Sequence, residues 1–247
     1  MLKYLLFFQL CFLLFSAISG GEIHLTLKDG KILTTKDLSI EKNGDILFLH
    51  NKSNSYMRLP AHFLKKLSFP KPEDLKKADS LFQQKQYKAS AVLYEKSAEK
   101  LKKISPWEEY SFFHAANASL LDGDREKSLH LLSTFLSGKD ISLTEDSPEE
   151  LYKIHLFIAQ LYMGKKEFSK AYPFLDKLIA SPGETFAAKA LFMKGEGLLQ
   201  EGKYQKALDH ISLYLLLFPG LENHKQAKEN FDLLRQKLSG KNGKDEP

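Results

Sequence analysis

Small residues recur at similar intervals along the C-terminal two thirds of this 247-residue chain. The first small residue of each unit is Ala78, Ala116, Ala159 or Gly195. The second, twelve positions later in every case, is Ser90, Ser128, Ala171 or Ala207. Successive units are therefore offset by 38, 43 and 36 residues. A period in this range indicates a stacked array of supersecondary units, and no other feature of the sequence constrains the fold as strongly.

Apolar residues within each unit follow a helical period and are interrupted by short polar turns. We expect helices at 72–84 with 87–102, 106–121 with 124–137, 147–163 with 167–180, and 184–201 with 203–218, followed by a ninth at 222–238. Short turns make the two helices of a unit antiparallel neighbours. Three of the units open with Ser-Pro-x-Glu, at 105–108, 147–150 and 181–184, which predicts a serine cap and a capping box.

The best-preserved unit carries a small residue, an apolar residue three positions later, a second small residue and a closing proline. These are Gly195, Leu198, Ala207 and Pro219, and the unit before it has Ala159, Tyr162, Ala171 and Pro182. This pattern, over about residues 71–219, resembles the tetratricopeptide repeat (TPR). The resemblance implies a mainly α, TPR-type solenoid of about four helical hairpins plus a capping helix, in residues 70–238. The residues Ala78, Ala116, Ala159, Ala171, Gly195, Ala207 and Pro219 would then be structural, with Ala207 facing Gly195 where two helices cross closely.

Residues 21–69 have a period of two instead. Ile23, Leu25 and Leu27 alternate with polar residues, and the pairs Asp29-Gly30 and Asn43-Gly44 suit tight hairpin turns. We expect about five short strands in a small antiparallel β domain. Its layout resembles small SH3-like or Sm-like barrels, some of which bind peptidoglycan or peptides in cell envelopes.

The first twenty residues have the pattern of a secretory signal peptide. Lys3 precedes an apolar run from Leu5 to Phe15, and small residues follow it. We expect cleavage near Gly20 or Gly21; the alternative is an uncleaved membrane anchor. The only cysteine, Cys11, lies in this run, so the mature chain would have no disulfide and no thiolate ligand. At the other end, residues 239–247 have no apolar side chain and are predicted to be a disordered tail.

The basic residues do not indicate a nucleic-acid partner, although the formal net charge is +5. They are nearly all lysines, and the arginines are Arg58, Arg125 and Arg235 alone. Arginine is the side chain best suited to phosphates and base edges. We therefore predict no nucleic-acid partner, and no integral membrane span once the signal peptide is removed.

The sequence also lacks the common catalytic motifs. It contains no H-E-x-x-H, no G-x-S-x-G and no Walker loop, and none of its eight histidines pair at the i, i+4 spacing of a helical metal site. We predict that the protein is not an enzyme and needs no cofactor or metal.

The TPR resemblance implies that the first helix of each unit lines a groove for a peptide or partner helix. The candidate residues are Phe82, Phe113, Asn117, Leu120, Leu156, Gln160, Phe192 and Glu196. Phe113 and Phe192 would be apolar anchors, and Asn117 and Gln160 could bond an extended backbone. The alternative is that most of these side chains pack between units.

Together these features predict an exported, non-enzymatic interaction scaffold, periplasmic or extracellular, whose TPR groove binds a peptide or partner protein of the cell envelope. The alternative function is binding of cell-wall glycan by the β module, with the helices positioning or dimerising it. Homo-oligomerisation is a further mode of assembly that the sequence leaves open. If the signal peptide is not cleaved, the same protein would be anchored to the membrane.

Overall fold

A computed structural model describes residues 22–41, 43–102, 106–137 and 141–242. The predicted signal peptide and residues 243–247 of the predicted tail lie outside the described residues. The chain divides into two compact units between Ser111 and Phe112.

The first unit begins with six short strands, one more than the sequence predicted. They are β1 Ile23–Leu27, β2 Ile32–Thr35, β3 Leu38–Ile40, β4 Ile46–His50, β5 Ser55–Leu59 and β6 Leu64–Ser68. The strands pair antiparallel in two three-stranded sheets, with the orders β2-β1-β6 and β3-β4-β5. Tight turns lie where they were predicted, since Gly30 N donates to Leu27 O and Gly44 N donates to Glu41 O.

One hydrophobic core fills the space between the inward faces of these sheets. Ile23 and Leu25 enter it from the first sheet, and Ile46, Phe48 and Leu59 enter it from the second. Alternate residues of a strand face the same side, which explains why the period of two in the sequence marks this core. The described strands form two small sheets and not a closed barrel, so the SH3-like resemblance is not confirmed.

The described residues also form nine α-helices. They are α1 Glu73–Gln83, α2 Tyr87–Lys100, α3 Trp107–Leu121, α4 Arg125–Leu136, α5 Glu149–Gly164, α6 Phe168–Ile179, α7 Glu184–Gln200, α8 Tyr204–Leu217 and α9 His224–Asn242. The hairpins α1–α2, α5–α6 and α7–α8 pack closely, and α9 packs on α8. These bounds agree with the sequence expectation, except that α9 continues four residues beyond residue 238, into the segment predicted to be disordered.

The same turn closes the first helix of all four hairpins. In each, one residue has a positive φ: Lys85 (61°), Gly123 (92°), Lys166 (60°) or Gly202 (73°). The next amide donates back over five residues, to Leu81 O, Ser119 O, Tyr162 O or Leu198 O, at 2.9 Å each time. This is the Schellman motif, which satisfies carbonyls at a helix C-terminus. The left-handed residue is always seven positions after the small residue of its unit, so the backbone repeats in the same frame as the sequence.

The small residues of the repeat are buried where helices approach. Ala78, Ala116, Ala159, Ala171 and Ala207 are each 0% exposed, whereas Pro219 is exposed. In the first hairpin the hydroxyl of Ser90 donates to Ala78 O at 2.9 Å, which joins α2 directly to the backbone of α1. The atoms nearest to a β-carbon on Gly195 belong to Ile211 and His210 and not, as expected, to Ala207.

Helices α3, α5, α7 and α9 are neighbours in the second unit. Ala116 of α3 shares a core cluster with Leu151, Ile154 and Ile158 of α5. Helix α7 packs against both α5 and α9. The first helices of successive hairpins therefore lie side by side and present one continuous series of helix faces.

The predicted capping boxes do not form at α5 and α7. Proline or glycine takes the N-cap position, at Pro148 and Gly183, without a side-chain bond to the helix. The serines bond backward instead: Ser147 Oγ accepts from Thr144 N at 2.9 Å, and Ser181 Oγ donates to Leu178 O at 2.7 Å. Ser105 lies outside the described residues.

Candidate partner-binding face

Helix α5 is buried on most of its circumference and open along one stripe. The stripe consists of Glu149, Lys153, Phe157, Gln160 and Gly164, at intervals of three and four residues. Side chains at this spacing share one face of a helix. Gln160 is exposed and Phe157 is half-buried, so the stripe offers polar and apolar surface together.

Helix α7 repeats the same stripe thirty-six residues later, at Thr185, Lys189, Met193, Glu196 and Gln200. Helix α3, in the part that belongs to the second unit, carries His114, Asn117 and Leu121 at the equivalent positions. We call these stripes of α3, α5 and α7 the first-helix face. Because the offset equals that of the small residues, the face follows directly from the repeat frame.

Three of the predicted groove residues lie at the same place on this face. Asn117 and Glu196 are half-buried, and Gln160 is exposed. They occupy one equivalent position on α3, α5 and α7, so the face carries a row of two amides and one carboxylate.

Two predicted groove residues, Leu156 and the expected anchor Phe192, stand one position before the open stripe. Leu156 is 9% exposed and Phe192 is 3% exposed, and Phe192 packs on Tyr214 with ring centroids 5.4 Å apart. One residue along a helix is a rotation of about 100°, which turns these side chains from the open stripe into the core. Their neighbours Phe157 and Met193 are half-buried on the face instead. For Leu156 and Phe192 the structure therefore favours the alternative of interior packing.

The remaining predicted residues are half-buried. Phe113 meets Phe157 edge to face, with ring centroids 5.8 Å apart, and Leu120 is also partly covered. Phe82 belongs to the first unit, where its ring lies 5.4 Å from that of Tyr87. Phe113 thus supports the ring of Phe157 from the neighbouring helix.

Three contributions to this face were not predicted from the sequence: Phe157, Met193 and Gln226 of α9. Phe157 and Met193 both stand two positions before the small residue of their unit, which an alignment of the units on that residue would have revealed.

Gln226 of α9 donates to Glu196 Oε1 at 2.7 Å. Burial raises the pKa of Glu196, so this carboxyl is a weaker acid than an exposed glutamate. Lys153 pairs with Glu149 at 3.0 Å near the start of α5.

A polar network centred on Asp79 holds helices of the first unit together. Asp79 accepts hydrogen bonds from the phenols of Tyr94 (2.7 Å) and Tyr110 (2.8 Å) and pairs with Lys71. Burial raises the pKa of the Asp79 carboxyl, but hydrogen bonds from the ammonium and the two phenols outweigh it and hold that pKa below its ordinary value. Burial and the bond to Asp79 raise the pKa of Tyr94 far above its ordinary value. The Asp79 carboxylate is ionised and accepts from all three partners, and the Tyr94 phenol stays protonated. Because these residues lie on α1, α2 and α3, the network joins the three helices.

His155 on α5 is a buried titratable group of the second unit. It is 1% exposed, and its Nδ1 lies 2.8 Å from Leu151 O, to which it donates. Burial lowers the pKa of His155, because the charged imidazolium would lose its hydration. The neutral ring packs 6.1 Å from the ring of Phe174, which is a core environment.

Within the described residues, no group of three or more His, Cys, Asp or Glu side chains is arranged to hold a metal ion. No described helix combines the length and apolar character needed to cross a membrane.

Comparisons with known proteins identify the fold. No protein-family model matches the sequence, and no curated protein matches it either. Among solved structures, the chain is similar to the nearly identical TPR-like repeats of a putative kinesin light chain from Podosopora anserina. The identity is 14%, the match covers 69% of this chain and 87% of that one, and the TM-score is 0.52. At this identity the likeness shows the fold alone.

Structures of MamA are also similar. MamA AMB-1 is 17% identical over 67% of this chain and 81% of its own, with a TM-score of 0.48. A MamA RS-1 double mutant is 12% identical over 69% of this chain and 98% of its own, with a TM-score of 0.48. The protein is a TPR-type helical-hairpin solenoid preceded by a small antiparallel β region.

Proposed function

We propose that the protein is a non-enzymatic interaction scaffold whose first-helix face binds an extended segment of a partner protein. The observation that carries the proposal is the row Asn117, Gln160 and Glu196, which recurs at one position on three neighbouring helices. Side-chain amides can donate to and accept from a peptide backbone, as extended ligands require. Phe157 and Met193 supply apolar contact beside this row.

The strongly perturbed groups support a scaffold over an enzyme. Asp79 and Tyr94 bond each other, and the buried His155 bonds the carbonyl of its own helix. A general acid or base needs a pKa near the working pH and access to substrate. The shift of Tyr94 moves it away from neutrality, and the burial of His155 removes it from access.

We further propose that the protein is exported and that its partner belongs to the cell envelope. The supporting observation is the sequence of the first twenty residues, with Lys3, an apolar run and small residues before Gly21. Sequencing the N-terminus of the mature protein tests export directly. A mature chain beginning near Gly20 or Gly21 supports it, and an intact Met1 in a soluble intracellular fraction would exclude it.

Affinity capture from envelope extract, after mild crosslinking, tests the binding face. The test variant replaces both Asn117 and Gln160 by alanine, and the matched control replaces the exposed His130 of α4 and Ser169 of α6. Losing two amide contacts of about 1 kcal/mol each predicts a capture reduced at least about tenfold. Equal capture by both double variants, or no captured partner at all, would exclude the proposed face.

A further inference from the structure

Glu196 is a half-buried carboxylate that its neighbours orient without neutralising it. It lies on α7, and its Oε1 accepts a hydrogen bond from Nε2 of Gln226 on α9 at 2.7 Å. Burial raises the pKa of this carboxyl, and the side-chain amide of Asn230 partly offsets that effect. Among the described residues, no charged side chain contributes to the shift. The amides of α9 therefore hold the carboxylate in place but bring no counter-charge to it.

Exposed carboxylates of the second unit do have a cation. Glu149 pairs with Lys153 at 3.0 Å, and Asp176 pairs with Lys194 at 2.5 Å. Water already solvates these exposed charges, whereas burial removes part of the hydration of Glu196. Glu196 would thus gain more from a nearby cation than these two residues do, yet it has none within the described part of the chain.

The sequence around Glu196 explains this lack of a cation. Residues three and four positions apart share one face of a helix. The residues that share this side of α5, α7 and α9 are uncharged or acidic: Leu156, Phe157, Met163 and Gly164 around Gln160, Phe192, Met193, Leu199 and Gln200 around Glu196, and Glu229 and Asn230 after Gln226. The exposed Lys189 lies on the same stripe of α7, but it stands two helical turns, about 10 Å, before Glu196.

We propose that Glu196 is the charge-recognition residue of the first-helix face and that it pairs with a lysine side chain of the partner segment. This inference rests on the proposed function, because the row Asn117, Gln160 and Glu196 sets the path that the segment follows. The amides of Asn117 and Gln160 can bond a backbone of any sequence, whereas a carboxylate selects a positive charge. A partner cation also returns to Glu196 the favourable interaction that burial takes away.

The hydrogen bond from Gln226 favours lysine over arginine as the recognised side chain. A guanidinium binds a carboxylate most strongly as a planar fork that uses both oxygens. Oε1 of Glu196 already accepts from Gln226, so such a fork would compete with that bond. An ammonium is a compact charge that needs only one oxygen. Lysine is therefore the cation that fits this carboxylate.

Zero-length crosslinking tests the pairing directly. A water-soluble carbodiimide joins a carboxylate to an amine in contact with it, and it takes up the water lost from the new amide to become a urea. The full-length protein is treated with this reagent in envelope extract, and the linked residues are identified by mass spectrometry. We expect an amide between Glu196 and a lysine of another protein. A link from Glu196 to a lysine of this protein's own sequence would overturn the proposal, because the protein itself would then supply the cation.

The Glu196→Gln variant measures what the charge contributes. Glutamine has the same shape and can still accept from Gln226, so the helical circular dichroism should match that of the wild type. Affinity capture of the partner should fall about fivefold, and the difference should shrink at high salt because the ion pair is screened. Glu184→Gln makes the same change of charge at an exposed position of α7 and is the matched control. It should capture the partner as the wild type does.

Thermal unfolding separates recognition from a role in folding. Burial penalises the charged form of Glu196 in the folded state, so Glu196→Gln should leave the melting temperature unchanged or raise it. A lower melting temperature would show that the carboxylate serves the fold and would overturn the proposal.

The capture results separate failure of this inference from failure of the proposed function. Equal capture by the wild type and Glu196→Gln would overturn the role of Glu196 and leave the proposed function standing. Reduced capture without an amide link from Glu196 would overturn lysine as the recognised side chain. No captured partner for any variant would overturn the proposed function and this inference with it.

Discussion

Ile211 fills the space that a side chain on Gly195 would occupy. A β-carbon on Gly195 would lie 2.6 Å from Cδ1 and 2.8 Å from Cγ1 of Ile211, closer than packed carbon atoms come. The absence of a side chain on α7 is thus what lets Ile211 of α8 reach the helix surface. The hairpin that best preserves the repeat pattern owes its close crossing to this pair.

Gly195→Ala should therefore lower the free energy of unfolding. Overpacking a core costs up to about 3 kcal/mol, and two contacts below 3.0 Å to one β-branched side chain put this site above the gain of about 1 kcal/mol from placing alanine in a helix. Gly197→Ala is the matched control, because its β-carbon would meet only the far ends of side chains, Met163 Cε at 2.9 Å and Tyr172 Oη at 3.1 Å. We expect Gly197→Ala to be neutral or stabilising in denaturant titrations. Equal effects of the two substitutions would contradict this prediction, because Ile211 would then accommodate the added methyl group without a loss of stability.

Replacing the left-handed lysines of the turns by glycine should stabilise the protein. Lys85 and Lys166 adopt φ values of 61° and 60°, a region that costs a residue with a β-carbon about 1 kcal/mol or more. Replacing either by glycine should stabilise the protein by about 0.5–1 kcal/mol, whereas Gly202→Ala should destabilise it by a similar amount. Thermal unfolding of the three variants checks the signs. A loss of stability in both lysine variants would contradict the turn assignment.

Ser128 and Ser90 occupy equivalent places but differ in their bonds. The hydroxyl of Ser128 is buried without a hydrogen-bond partner, whereas that of Ser90 donates to Ala78 O. Ser128→Ala should raise the free energy of unfolding by about 1 kcal/mol, because a buried unsatisfied hydroxyl is removed. Ser90→Ala loses a bond and should lower it by about 1 kcal/mol. Chemical denaturation distinguishes the two outcomes, and two changes of the same sign would refute this difference in bonding.

His155 predicts a pH dependence of stability. Burial lowers the pKa of this imidazole in the folded protein, so below about pH 6.5 the unfolded chain takes up a proton that the folded one does not. The free energy of unfolding should fall by up to about 1.4 kcal/mol per pH unit as the pH drops below that value. His155→Gln removes the titrating group and should flatten the profile between pH 7 and pH 5. An unchanged slope in this variant would show that other groups cause the dependence.

Much of the fold could be predicted because small residues mark the same position in each repeat. Ala116, Ala159 and Gly195 fix the frame, and the helix bounds follow from it to within a few residues. The orientation of single side chains is harder to predict. Leu156 and Phe192 are as apolar as Phe157 and Met193, and only the rotation of the helix against its neighbours decides which of them stays open.

The predicted caps failed where the serine found a different local bond. The Ser-Pro-x-Glu motif predicted a cap, yet Pro148 and Gly183 take that position and the serines bond to the preceding segment. By contrast Asp124, which directly follows a tight turn, does cap α4, and Lys127 N donates to its carboxylate at 2.9 Å. In the β region, turn pairs predicted hairpins correctly but could not show whether the strands close into a barrel.

The central claim is that a partner protein occupies the first-helix face. Site-specific photo-crosslinking in cells tests it most directly, with a benzoylphenylalanine at the exposed Gln160 of α5 and, as control, at the exposed Ser169 of α6. We predict a discrete protein adduct from Gln160 and none from Ser169. No adduct from Gln160, or the same adducts from both positions, would contradict the account.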